Sequence, residues 1–224
     1  MASKNFLKHF PILLISILPF GYLLAIWNSL PEKIAIHYNM KGEVDRYGSS
    51  LELVFVTLLL TVIGIGTYIL LTNIHKIDPK RAKSVQVNTY NKIASGIVLF
   101  TSIINLVIII NGANPESSIA NKVVLPSIGF LFMFLGNYMY TIKPNHFVGI
   151  RVPWTLESDT NWKKTHQLGG KLFFLGGLTI TIVALVAPFQ VASIVMLIII
   201  TVISIAAVYY SYSIFKSESK SKNI

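Results

Sequence analysis

The sequence predicts an all-α integral membrane protein. It is read as a bundle of six transmembrane helices with both termini in the cytoplasm, an ordered first external loop and a structured cytoplasmic loop between spans four and five. Three observations lead there. The 224 residues are 53% hydrophobic and only 12% charged, with a mean hydropathy of +0.64. A soluble domain carries roughly 25% charged residues, so most of this chain must face lipid. Six apolar runs are each long enough to cross a hydrocarbon core of ~30 Å, which takes roughly 20 helical residues. Finally, 15 of the 19 Lys and Arg fall in segments that a six-span topology places on one side, leaving only Lys33, Lys41, Arg46 and Lys122 on the other. Retention of Lys and Arg on the inner side puts both termini in the cytoplasm, and dropping one span would mix the two sets.

The net charge of +10 would suggest nucleic acid in a soluble protein. Here positive-inside retention accounts for it, and no direct nucleic-acid partner is expected. The absence of Cys excludes disulfides and thiolate metal sites.

The runs lie at about Phe10–Leu30, Leu53–Thr72, Ile93–Ile110, Val123–Ile142, Leu172–Pro188 and Val191–Phe215. The first follows Lys4 and Lys8 as a signal peptide would. It is longer than the usual apolar core of one, no small-x-small cleavage site follows it, and further spans come after, so it is read as a span. In the first external loop, Ile34, Ile36 and Tyr38 alternate with Lys33, Ala35 and His37, a strand-like pattern. Lys41-Gly42-Glu43 reads as a turn, and Ser49 with Glu52 fits a capping box opening the second span. This loop is either an ordered connector or a binding loop.

Asp78-Pro79 is an N-cap and first-turn pair for a helix running into the third span. Lys80, Arg81 and Lys83 there would lie near anionic headgroups. Pro188-Phe189-Gln190 joins the last two spans in a tight helical hairpin. The Ser/Lys tail from Lys216 to Lys222 reads as disordered.

As drawn, the spans hold no Asp, Glu, Lys, Arg or His. Ion-coupled transporters and proton relays need such groups inside the membrane, so the transporter reading falls to second place. Asn105 and Asn137 read as interhelical glue. Gly64, Gly66, Gly129, Gly176 and Gly177 would permit close helix approach, but they form no GxxxG pair.

Chemistry concentrates in Asn145–Lys171, a polar stretch with two of the three Trp and two of the five His. A connection this long is more often a working part than a tether. Ser158 can cap a helix starting at Asp159. From there Trp162, Thr165 or His166, and Gly169 fall near one face, which predicts a short interfacial helix that turns into the fifth span. Trp154 and Trp162 would then sit in the aromatic belt, either as anchors or as partner contacts. Arg151, between Gly149 and Pro153, can clamp a phosphate or carboxylate bidentately, or is simply retained on the basic side. His146, Glu157, Asp159 and His166 lack metal-site spacing. There is no nucleophile elbow and no phosphate-cradling Gly-rich loop, so no cofactor, metal or catalytic residue is assigned and the protein is read as a non-enzyme.

Two segments are distinctive in order and spacing. One runs Asn145-His146-Phe147-Val148-Gly149-Ile150-Arg151, then Pro153-Trp154-Thr155-Leu156, then Trp162-Lys163-Lys164-Thr165-His166, closing at Gly169-Gly170. It resembles the signature of the SdpI family of bacterial immunity proteins. The other, Pro31 with Ile36-His37-Tyr38-Asn39 and Gly42-Glu43-Val44-Asp45-Arg46-Tyr47-Gly48, resembles the N-terminal domain of unknown function that often accompanies it. The resemblance implies a multi-pass plasma-membrane protein that protects its producer from a secreted toxic peptide. For some members it also implies signalling, by recruiting a cytoplasmic repressor to the membrane once toxin is bound. A small-solute, lipid or peptide transporter is the runner-up.

On this reading residues 1–75 form the accessory domain and 76–122 a connecting helix, the third span and a short external loop. Residues 123–215 form the SdpI-like domain and 216–224 the tail. Toxin is expected at His37, Asn39, Gly42, Asp45, Arg46 and Tyr47. A cytoplasmic partner is expected at Asn145, Gly149, Arg151, Pro153, Trp154, Thr155, Trp162 and His166. The lipid bilayer is the remaining partner.

Overall fold

The computed structural model describes residues 2–77, 87–114, 116–117 and 119–221, with side-chain surroundings over the part of this from His9 to Lys220. The helix start predicted at Asp78-Pro79, with Lys80, Arg81 and Lys83, lies outside these residues, as do Lys222 and the side chains of Lys4 and Lys8.

Helix α1 (Ala2–Ala25) carries Pro11 and Pro19 within it and ends in a 3₁₀ turn at Trp27–Ser29. Strands β1 (Ile34–Tyr38) and β2 (Val44–Gly48) pair antiparallel, with register shifts between Ala35 and Tyr38. The alternation read in the first loop therefore is a strand, one half of a β-hairpin. Helix α2 (Ser50–Thr72) opens under a Ser49 cap, its hydroxyl accepting the Glu52 N–H at 3.3 Å, which is one half of the expected capping box. A short α3 (Ile74–Ile77) follows, then α4 (Val87–Ala113) and α5 (Ile119–Met139). After a loop come α6 (Pro153–Glu157), α7 (Asp159–Val186) and α8 (Phe189–Ser221). Helices α2, α4, α5, α7 and α8 are long and apolar enough to cross a membrane; the apolar part of α1, His9–Ala25, is shorter. The chain is a multi-pass helical membrane protein.

Three expectations need correction. Asp159 does open a helix under a Ser158 cap, but it runs unbroken to Val186 and does not turn from the headgroup layer into a span. Trp162, Thr165, His166 and Gly169 do share a face, yet that face is buried in the bundle, with Trp162 only 2% exposed and so outside any aromatic belt. The tail is helical through Ser221, because α8 simply continues past its apolar part.

Helix α7 packs closely on α5 through its glycines. A Cβ on Gly170 would stand 2.8 Å from the Gly136 carbonyl oxygen, and one on Gly136 would stand 2.7 Å from that of Gly170. Gly129 and Gly177 meet in the same way, a Cβ on either falling 2.7 or 2.5 Å from the other's carbonyl oxygen. The two contacts make α5 and α7 antiparallel and let their backbones touch. Each pair is seven residues apart on its helix, so the glycines form one stripe of the kind a 3.5-residue repeat produces. Small residues at such seams are how membrane helices gain packing where lipid offers no hydrophobic drive. The absence of GxxxG hides this seam; the seven-residue spacing is the readable signal.

Across the other half of the bundle, the buried Asn105 of α4 donates to the Thr57 carbonyl (3.1 Å) and the Thr61 hydroxyl (3.3 Å) of α2, which is the glue role expected of it. Asn137 is exposed on α5.

Candidate functional site

Two polar assemblies sit at opposite ends of α4. At its N-terminal end the loop between α5 and α7 folds around Asn145, which is fully buried. The Asn145 amide nitrogen donates among Tyr90 Oη (3.0 Å), the Lys143 carbonyl (2.9 Å) and the Val148 carbonyl (3.0 Å). Its oxygen accepts the Phe147 and Val148 N–H groups, both at 2.7 Å. An asparagine has two N–H donors and two lone pairs, so its capacity is fully used. Asn145 thus shapes the loop and ties it to α4 at once.

The loop then passes Gly149, whose φ of +115° suits glycine alone. A Cβ there would also run into His166 Nε2. The space is needed because the Ile150 N–H donates to that nitrogen at 3.0 Å, while His166 Nδ1 lies 2.8 Å from the Trp162 carbonyl one turn back. A ring that accepts at Nε2 keeps a lone pair there, so His166 is neutral with its proton on Nδ1. Its ring stacks on Trp162 at 4.0 Å, and Trp162 Nε1 donates to the Ile142 carbonyl at 2.9 Å. Thr155, buried in α6, accepts the Val152 N–H (3.1 Å), half of a capping box, and its hydroxyl reaches the Ile150 carbonyl (3.0 Å). Pro153 stands at the first position of α6, where a missing N–H costs nothing.

The loop is also tied to α8. Trp154 Nε1 donates to the Ser211 hydroxyl at 2.8 Å, and its ring meets Tyr212 edge-on at 5.5 Å. The buried Asn161 amide donates to the Ser211 carbonyl at 2.9 Å, and Ser158 donates to Glu218 at 3.1 Å. Sequence does not single out Tyr90, Asn161, Ser211 or Glu218, since lone polar residues 50 or more positions from their partners leave no local pattern.

Of the eight residues predicted to meet a cytoplasmic partner, Asn145, Thr155, Trp162 and His166 are buried and bonded inward, and Gly149 packs on His166. Exposed surface remains at Arg151 and Pro153 and partly at Trp154, beside His146, Lys163 and Lys164. Arg151 donates to the His146 carbonyl. Among the described residues no three His, Asp or Glu come together as a metal site.

At the far end of α4 stands the hairpin. The Asn39 oxygen accepts the N–H groups of Lys41 (2.8 Å) and Glu43 (3.1 Å), and Gly42 takes a φ of +82°. Asn121, ahead of α5's apolar run, donates to the Gly42 carbonyl at 3.2 Å, and Asn111 of α4 donates to Tyr38 Oη at 2.9 Å. Ile34 is buried with Leu23, Leu53 and Ile109, which fixes the inner face of the hairpin. The outward side chains are His37 and Asp45, paired at 2.6 Å, with Arg46 and Tyr47. Asn39 and Gly42 therefore hold the turn, and the other four form its surface. Tyr90 and Asn111 lie 21 residues apart on α4, about 31 Å at ~1.5 Å per residue, close to the ~30 Å of a hydrocarbon core.

The same two assemblies are the parts that match known families. Residues 141–213 match the SdpI/YfhL protein family, and residues 14–62 match a domain of unknown function, DUF1648. The chain carries an SdpI-family domain behind an N-terminal DUF1648 domain. It is 30% identical over 87 residues to the protein named immunity protein SdpI of Bacillus subtilis (strain 168), a match covering 38% of this chain and 42% of that protein. No solved structure matches the chain.

The SdpI-family segment begins two residues before Lys143 and takes in the Asn145 loop, α6, α7 and most of α8. The DUF1648 segment takes in the hairpin with the flanking parts of α1 and α2. All of α4, which touches both, lies outside the two matched segments. That helix joins the SdpI-family loop through Tyr90 and the DUF1648 hairpin through Asn111.

Proposed function

We propose that this protein is a membrane immunity protein that protects the producing cell from a secreted toxic peptide. The observation that carries the reading is the SdpI-family domain, together with its similarity to a protein named for immunity. The protein acts by binding, not catalysis. It sits in the plasma membrane with six spans, α1 being the sixth, and with both termini in the cytoplasm; the basic residues around the Asn145 loop support that orientation. The toxin meets the outer face of the hairpin, at His37, Asp45, Arg46 and Tyr47, whose side chains are exposed and rigidly backed. Where the protein also signals, a cytoplasmic repressor meets the exposed part of the inner loop, at Arg151, Pro153 and Trp154. The buried Asn145, Thr155, Trp162 and His166 shape that surface. Helix α4 is the element through which one face can bias the other, provided toxin binds two arrangements of the bundle unequally.

The test is survival of a toxin-sensitive bacterium that expresses the protein and is challenged with the secreted peptide encoded nearest its gene. Protection by the wild type, lost in His37→Ala or Arg46→Ala at equal membrane levels, is expected. An unprotected host at normal expression refutes immunity. Arg151→Ala is expected to keep protection and to lose co-sedimentation of the repressor with toxin-treated membranes.

A further inference from the structure

A groove on the lipid-facing side of α4 is used by none of the features above. Its upper part is a cavity of about 450 Å³ between α1, α2, α4 and α5, at the same end of the bundle as the Asn145 loop. Polar groups gather there. His9 Nδ1 pairs with the Tyr68 hydroxyl at 2.6 Å, and Lys92 stands exposed at the rim. Asn91 lines the wall with its amide oxygen buried and, among the described residues, unpartnered. The lower part is an apolar cavity of about 360 Å³ between α4 and α5, floored by Leu99, Ile103, Phe130 and Leu131. Both cavities are lined by Gly96, Leu99 and Phe134, so they run into one another. Gly96 makes the waist: a Cβ there would overlap the Phe134 ring.

The length of this groove identifies what fits it. From Asn88 at the polar rim to Ile103 in the trough, α4 advances 15 residues, about 22 Å at ~1.5 Å per residue. One bilayer leaflet, headgroup included, is roughly 20–22 Å thick. The polarity changes along that length as a phospholipid's does, from charged and amide groups to aliphatic and aromatic ones. Lys92 makes no ion pair among the described residues, and it supplies the positive charge an anionic headgroup needs. The Asn91 oxygen needs a hydrogen-bond donor, since an unmet buried acceptor is costly. A phosphodiester has no proton to give, and the phosphate of phosphatidic acid loses its own as the pH rises; the glycerol hydroxyl of a phosphatidylglycerol headgroup stays a donor throughout.

We propose that this α4 groove binds one phosphatidylglycerol molecule, with its phosphate at Lys92, its glycerol hydroxyl on the Asn91 oxygen and an acyl chain over Gly96 along Leu99 and Ile103.

The test is native mass spectrometry of the delipidated full chain in detergent, titrated separately with phosphatidylglycerol, phosphatidylethanolamine and phosphatidic acid of the same acyl chains. The wild type is expected to retain one phosphatidylglycerol in preference to the other two. Lys92→Ala should weaken that binding about fivefold, the loss of one lysine at a membrane surface. Asn91→Leu should erase the preference over phosphatidic acid while leaving phosphatidic acid binding in place. Leu99→Trp, which fills the trough from an exposed position, should weaken all three lipids, and Leu185→Trp on exposed α7 surface should change nothing. Equal binding of the three lipids by the wild type would overturn the proposal. So would wild-type lipid affinity in both Lys92→Ala and Leu99→Trp, or a groove that cross-links to a second copy and takes up no lipid. Survival in the toxin assay has no bearing on any of these readouts.

Discussion

The backbone N–H of Ile150 points at Nε2 of His166, 3.0 Å away, across a gap that exists only because residue 149 has no side chain. The bond couples a loop to a helix 16 positions later and demands a neutral imidazole. Gly149→Ala should therefore cost stability twice, through a strained φ of +115° and through a clash with His166. We expect a loss of about 2–3 kcal/mol, the scale of backbone strain at one residue. The measurement is the thermal midpoint followed by tryptophan fluorescence, since Trp162 stacks on the ring that would move.

Asn145 is expected to be less replaceable still. Asn145→Ala removes the partner of two backbone N–H groups and of Tyr90, and buried groups left unpaired cost ~1–3 kcal/mol each. Limited proteolysis should show cleavage between residues 146 and 152 in this variant and not in the wild type. Tyr90→Phe, which loses one acceptor and leaves the loop's own bonds intact, should lose about 1 kcal/mol and stay resistant.

The glycine seam and the isolated glycines make a matched comparison. Gly177→Leu should separate α5 from α7, because even a Cβ would stand 2.5 Å from the Gly129 carbonyl oxygen. Overpacking of this kind costs ~1–3 kcal/mol or more. Gly66, with nothing within 4 Å of an added Cβ, should accept Ala and gain up to about 1 kcal/mol from helix propensity. Unfolding in a graded denaturing detergent distinguishes the two; a Gly177→Leu protein as stable as wild type would show that the seam is not closed.

On the hairpin, the His37–Asp45 pair is solvent-exposed, at 61% and 40% of the side chains. Exposed ion pairs contribute only ~0–1 kcal/mol. Asp45→Asn should leave the melting temperature nearly unchanged while weakening toxin protection. A fall in protection at unchanged stability and membrane level assigns the residue to recognition; a parallel fall in both would return it to folding.

Much of the fold is legible in the sequence alone. Lipid-facing helices, the hairpin turn at Gly42, the Ser49 and Ser158 caps and the two family motifs all rest on local patterns, which a sequence displays directly. The expectation of a separate interfacial helix fails because the polar stretch from Asp159 and the apolar run after it form one continuous helix, which packs on α5 through Gly170 and Gly177. Likewise the motif around Asn145 marks the important loop without saying which residues face inward.

What the sequence determined by itself was a multi-pass membrane protein with an SdpI-like motif, because composition, apolar run length and motif order need no partner to be read. Only the tertiary structure decided that Asn145, Thr155, Trp162 and His166 are interior and that Arg151 and part of Trp154 are surface. Only it showed that α4 joins both assemblies through Tyr90 and Asn111. The physical reason is distance along the chain. Tyr90 meets Asn145, Asn111 meets Tyr38 and Asn161 meets Ser211 across 50 to 73 residues, and a bond between residues that far apart is set by how helices pack, not by any pattern either residue carries.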